Sequence, residues 1–312
     1  MSSKRLLIHT VFLFLLPLLV AWFGLSVGSA IALLLLMLVW RWLISLSTFV
    51  VPEKVPALVL DSIAVSHFVE KVRWNMDRAG IEYEEKASGG TLGAFFAGRT
   101  VPRLKIKTGA VRSQIGNSPE ILRYLWGAYS GEPAINVGHL KPTPDRLILE
   151  KRLDRYGVNL QVWVYGHILE DRDVTLHLWG ASSPAIAAWQ RALLRGLFPL
   201  LVFLIRRSFR ITPETRAKAG EHIETLLKEM DATLADDRAS ILGGEEINFT
   251  DLTFAAMTGL WLQPDGYGGG QAEDVLLGRD KFPEAMRTDI EQWSEASPRV
   301  VAWVERLYAE ER

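Results

Sequence analysis

The chain has 312 residues, 49% hydrophobic and 23% charged, enough for one or two domains with real cores. Its net charge of −1 hides two regimes: residues 1–52 carry Lys4, Arg5 and Arg41 and no acid, leaving 32 basic and 36 acidic residues in the rest. These totals force no strongly basic face, so nucleic acid is not an expected partner, and the absence of cysteine excludes disulfides, thiolate metal sites and any protein-thiol nucleophile.

From Leu6 to Trp40 no residue is formally charged. Thirty-five helical residues would reach about 52 Å, far beyond a ~30 Å hydrocarbon core. Pro17 and the stretch around Gly24 and Gly28 break the run, which predicts two helices, residues 6–23 and 25–46, as a transmembrane hairpin over residues 1–52. Basic residues stand at both outer ends, so both ends are expected in the cytoplasm, with Trp40, Arg41 and Trp42 at the lipid interface. A cleaved signal peptide ending near Ala30 is the competing reading.

The first soluble domain is predicted over 53–127. Pro56 to Leu60 reads as a buried strand, and residues 61–66 as a loop. Phe68, Val72 and Met76 make a helical stripe that Gly80 ends. Ile81 to Glu85 alternates like a second strand. After a loosely patterned stretch to Gly98, Arg103 to Ile106 and Val111 to Ile115 read as a hairpin. Ser118-Pro119-Glu120 has the chemistry of a helix start, with Ser118 as the expected cap. Physically, that start is also an anion site, because its first N–H groups have no helical partner.

The order β-α-β-α-β-β-α, with Ser66 to Trp74, Gly80 to Tyr83, Val101-Pro102 and Asn117-Ser118, resembles the N-terminal, thioredoxin-like domain of cytosolic glutathione transferases. The resemblance implies an α+β fold with an all-helical second domain, and glutathione as substrate. It implies a serine-type enzyme in which Ser66, five residues before Lys71, hydrogen-bonds the glutathione sulfur and favours its anion. A free thiol is only a few per cent ionised at neutral pH, so such help is needed. Ser62 is the alternative hydroxyl, and a plain helix cap the alternative role for Ser66. By the same resemblance Val101 meets the cysteinyl backbone, Pro102 follows a cis bond, and Asn117 and Ser118 bind the γ-glutamyl end. Arg99 is a further candidate for a glutathione carboxylate. His67 stands where the family commonly has proline, and Asn117 where it has Glu or Gln.

Residues 128–143 read as a linker and 144–312 as the all-helical domain. Tyr156, Trp163 and His167 fall on one helix face, which the resemblance makes a wall of the pocket for an apolar second substrate. A core stripe is the alternative. The apolar stretch from Gly196 to Ile205 reads as a buried helix kinked at Pro199, or as a membrane-facing helix flanked by arginines. Asn248-Phe249-Thr250-Asp251 is a capping-box variant, structural rather than catalytic. The closing helix looks like that of bacterial transferase-like proteins, so the implied setting is a bacterial inner membrane with the soluble domains in the cytoplasm.

The expected activity is conjugation, or peroxide reduction, of apolar electrophiles at the membrane with glutathione as thiol. The expected partners are glutathione, the electrophile, membrane lipid and a second copy of the chain as a homodimer; no metal is expected. A non-catalytic adaptor or a binder of hydrophobic ligands is the alternative, because the fold does not choose among them.

Overall fold

The computed structural model describes residues 15, 17–19, 22–24, 26–46, 56–90, 92, 101–108, 111–236 and 238–312. Internal contacts divide the chain into one unit of residues 1–59 and 105–114 and another of residues 60–104 and 115–312.

The first unit holds helix α1 (Val27–Leu46), begun by Ser26, whose hydroxyl accepts from the Ser29 amide at 3.3 Å. Among the described residues no helix is long and apolar enough to cross a membrane, which corrects the expected transmembrane hairpin. Helix α1 has Gly28 and Ser29 in its first turn and Arg41 between Trp40 and Trp42, which leaves residues 30–40 as its longest unbroken apolar run, about 16 Å of helix. The other expected helix, residues 6–23, lies mostly outside the described residues.

Strands β1 (Ala57–Ser62), β2 (Glu84–Ala87), β3 (Arg103–Thr108) and β4 (Val111–Gly116) pair in the order β2-β1-β3-β4. In the second unit, helix α2 (His67–Arg78) follows β1. Val69, Val72 and Met76 are buried along it, and Gly80 closes it at φ +68. Only a residue without Cβ takes that conformation freely. This β-α-β order matches the sequence expectation. The next expected helix falls mostly on residues outside the described set. Helix α3 (Ser118–Tyr129) leads through turns to α4 (Pro144–Ile168), whose cap Thr143 accepts from the Arg146 amide.

The helical part continues with α5 (Arg172–Leu178), α6 (Ala188–Gly196), α7 (Phe198–Phe209), α8 (Pro213–Thr233), α9 (Phe249–Leu262), α10 (Glu284–Ala296) and α11 (Pro298–Glu311). Pro199 sits in the first turn of α7, where its missing N–H costs nothing, so it starts a helix instead of kinking one. Helix α9 is buried on nearly every side and packs on both α2 and α4. An all-round apolar helix belongs in the middle of a core. Gly157 lets α2 and α4 approach: a Cβ there would lie 2.8 Å from the Phe68 ring and 2.7 Å from Met257 Sδ.

Helix α2 also buries charge. Lys71 Nζ donates to Glu150 at 3.0 Å and to Asp154 at 3.1 Å. The Arg73 guanidinium reaches Glu70 and Glu85, both at 2.7 Å. Buried charges persist only when paired, because desolvation alone would cost several kcal/mol per ion. These pairs fix where the start of α2 lies, and the candidate site is built on that start.

Candidate functional site

Three chain segments of the second unit bring their polar ends to one cavity of about 280 Å³. The first is the junction of β1 and α2, with Ser66, His67 and Phe68. The second is Val101-Pro102, joined by a cis bond as expected. The third is the start of α3, with Asn117 and Ser118.

Ser66 is the N-cap residue of α2 by backbone geometry, with φ −72 and ψ 123, yet its side chain makes no capping hydrogen bond. Its carbonyl oxygen accepts from the Val69 amide at 3.0 Å and the Glu70 amide at 2.9 Å. The hydroxyl is therefore not engaged by the helix it begins and stays at the cavity wall. Ser62, the alternative, is buried behind it at the end of β1 and does not line the cavity.

His67 fills the position after Ser66 with a buried ring. Its Nε2 lies 2.9 Å from the Gly157 carbonyl oxygen, so Nε2 carries the proton and donates it. Burial drives the ring's pKa down to about 4, against a smaller upward push from that bond. The imidazole is thus neutral at physiological pH and anchors the start of α2 to α4.

The start of α3 differs from expectation by one residue. Asn117 occupies the cap position at φ +72, and Ser118 is the first helical residue. Neither makes a side-chain cap. Ser118 Oγ is buried and has no hydrogen-bond partner among the described residues. A buried hydroxyl left without a partner costs about 1–3 kcal/mol, which marks it as a group awaiting one. It stands beside the orphan amides of a helix N-terminus.

The opposite wall comes from the helical part. Gln161, Val164, Tyr165 and Ile168 of α4 face the cavity, with Trp179, Phe209, Phe282 and Met286 among the apolar remainder. Tyr165 stacks on Phe209 with ring centroids 5.9 Å apart, and burial pushes its phenol up to about 12, so it stays a neutral donor. Among the described lining residues none carries a formal charge at neutral pH, so what they offer an anion is hydroxyls and helix N-termini.

Tyr156, Trp163 and His167 are not on this wall. Tyr156 is buried in the core, where its hydroxyl lies 3.2 Å from Thr258 Oγ1 and accepts from Trp261 Nε1 at 3.1 Å. Trp163 Nε1 donates to Asp289 at 2.7 Å and packs on Trp293, and His167 Nε2 lies 3.2 Å from the same carboxylate. Leu149, Leu153, Tyr156, Leu160 and Trp163 form a buried stripe of α4 that turns into the core. The cavity receives the neighbouring one. Arg99 lies outside the described residues. The lining residues that the sequence did not single out come from distant helices, and no local pattern marks them; Gln263, at φ +47 just past α9, is one.

No family model and no curated protein matches the chain. Solved structures that it resembles include glutathione transferases. One, from Methylobacterium radiotolerans in complex with glutathione sulfonate, is 17% identical with a TM-score of 0.49, covering 81% of this chain and 91% of that one. A theta-class enzyme from Xanthomonas axonopodis pv. citri with glutathione bound is 20% identical, with a TM-score of 0.43 over 82% and 94%. A rice enzyme in complex with glutathione is 19% identical, with a TM-score of 0.42 over 83% and 90%. With each TM-score below one half, it is the chain's own residues that define the site.

Proposed function

We propose that the chain is a serine-type glutathione transferase: the cavity holds glutathione and Ser66 stabilises its thiolate for attack on an apolar electrophile. One observation carries this reading. Ser66 and Ser118, each at a helix start, make no side-chain cap and line one cavity.

The chemistry follows from that arrangement. Ser118 Oγ and the first amides of α3 receive a carboxylate end, as an N-terminus with unused donors does. The Ser66 hydroxyl donates to the sulfur, and the positive end of α2 adds to the attraction. Both favour the anion, so the thiol ionises below its ordinary value near 8.5. The electrophile packs against the aromatic wall of Tyr165, Trp179, Phe209 and Phe282. The thiolate attacks its carbon, the new carbon–sulfur bond forms, and the leaving group departs with the bond's electron pair.

A second reading has its own support. The described wall is mostly apolar, as in a binder of hydrophobic ligands that does no chemistry. Titrating the ultraviolet absorbance of bound thiolate separates the two. The wild-type complex is expected to ionise at least one pH unit below free glutathione, and Ser66→Ala to lose that shift with roughly a hundredfold of turnover. Unchanged ionisation in Ser66→Ala removes Ser66 from the chemistry. Failure of the wild type to be retained on immobilised glutathione leaves the binder.

A further inference from the structure

Helices α6 and α7 carry a second surface that the cavity does not use. Leu194, Phe198, Leu201 and Ile205 point inward, onto a small core with Leu169 and Trp179. The outward face is apolar as well. Leu193 is 37% exposed, Leu197 at the junction 39%, Leu200 51% and Phe203 63%. Leu200 and Phe203 are three apart on one face of α7, Leu197 stands at the junction and Leu193 near the end of α6.

Along α6 and α7 themselves charge has one sign, while the start of α5 brings Glu170 and, through Arg172, Asp173 to their edge. Arg191, Arg195, Arg206, Arg207 and Arg210 flank this apolar ridge, and residues 174–213 contain no Asp or Glu. The nearest acidic partner is Glu170, 3.3 Å from Arg206, and Arg195 donates to the Ala181 carbonyl. Ordinary surfaces mix both signs and scatter their apolar residues. A nucleic acid would need the arginines but not the ridge. A lipid interface with anionic headgroups needs both.

We propose that the α6–α7 face docks on an anionic lipid surface, its ridge in the headgroup–acyl boundary and its arginines at phosphate level. The element lies in the interface and does not span it. Arginine suits the role because its stem covers apolar surface while its head meets phosphate bidentately. Helix α7 ends on Phe209, which lines the cavity, so docking sets one edge of the cavity at the lipid boundary. The proposal does not depend on what the cavity binds.

Because the chain has no cysteine, a single introduced thiol can be labelled cleanly. The full chain carrying Leu200→Cys or Phe203→Cys, labelled with a polarity-sensitive NBD fluorophore, is mixed with vesicles. They contain equal phosphatidylglycerol and phosphatidylcholine, or phosphatidylcholine alone. Both labels are expected to shift to the blue on the anionic vesicles and to be quenched by spin-labelled lipid. A label at Lys228→Cys on α8 is expected to remain in water. Replacing Arg191, Arg207 and Arg210 by Gln should lower partitioning of the ridge labels by roughly a hundredfold. The proposal is overturned if the ridge labels stay in water while the protein sediments with vesicles. It is equally overturned by a shift that ignores lipid charge and the arginines, or by one that follows protein concentration without lipid, which would show a second copy on the ridge.

Discussion

Helices α9 and α2 begin in opposite ways. At α9 the capping side chains are spent on the helix: Asn248 Oδ1 accepts from the Thr250 amide at 3.0 Å, and Asp251 accepts from the Asn248 and Ile241 amides at 2.8 Å each. All of it is buried. At α2 the capping residue Ser66 lines a cavity and makes no side-chain cap, and at α3 neither the cap Asn117 nor Ser118 after it makes one. A cap is ordinarily worth about 1 kcal/mol to its helix. Under the proposed function, the closed start belongs to stability and the two that line the cavity to binding.

The largest effect is expected at the closed start. Asp251→Ala leaves two buried amides and the Asn248 side chain without their acceptor, a loss of roughly 3–5 kcal/mol. The urea midpoint should fall accordingly, with ligand affinity per folded molecule unchanged. A loss below about 1 kcal/mol would dissolve the distinction between the two kinds of start.

His67 is what α2 has in place of a cap, and it carries a pH signature. The unfolded chain protonates this ring near 6.5, whereas the folded ring resists until about 4, because burial disfavours its charge. Between those values the unfolded chain binds more protons, so acid favours unfolding. Stability is fully present above pH 6.5 and falls as the pH drops through the window, by about 3 kcal/mol in full. His139, also lowered to about 4 by burial and by Arg78 and Arg146, acts in the same window. The test is therefore the difference between the wild type and His67→Gln in urea titrations from pH 7 to 4.5. The wild type should lose about 2–3 kcal/mol more. Parallel curves would mean that the ring titrates freely in the folded state.

Local chemistry made some of this legible before any coordinates. The stripe of Val72 and Met76 closed by Gly80, the Asn248–Asp251 box and the helix start at Pro119 are written in neighbouring residues, and the structure has each. What failed needed distance. The resemblance put Tyr156, Trp163 and His167 on a pocket wall, but the face of a helix that meets a cavity depends on where its partners pack. The core takes the most apolar stripe first. Pro199 reads equally as a kink or a start until the junction at Leu197 is seen. In α1 a long apolar composition concealed how closely Gly28, Ser29 and Arg41 bracket the uninterrupted run. Trp179, Phe209, Phe282 and Met286 meet only because distant helices bring them together, and nothing in their own surroundings marks them.

The smallest effect on the fold should come from Ser118→Ala, and that smallness is what makes it sharp. An ordinary capping serine costs about 1 kcal/mol when it becomes alanine. Ser118 caps nothing, and its buried hydroxyl lacks a partner, so its removal should leave stability within about 0.5 kcal/mol or raise it slightly. If a ligand carboxylate is the missing partner, the same change should weaken glutathione binding about tenfold, one charge-assisted hydrogen bond's worth. Calorimetric titration beside urea denaturation reads both quantities on one sample. A clear loss of stability with unchanged affinity would make Ser118 a cap after all, and the open start of α3 would become a closed one.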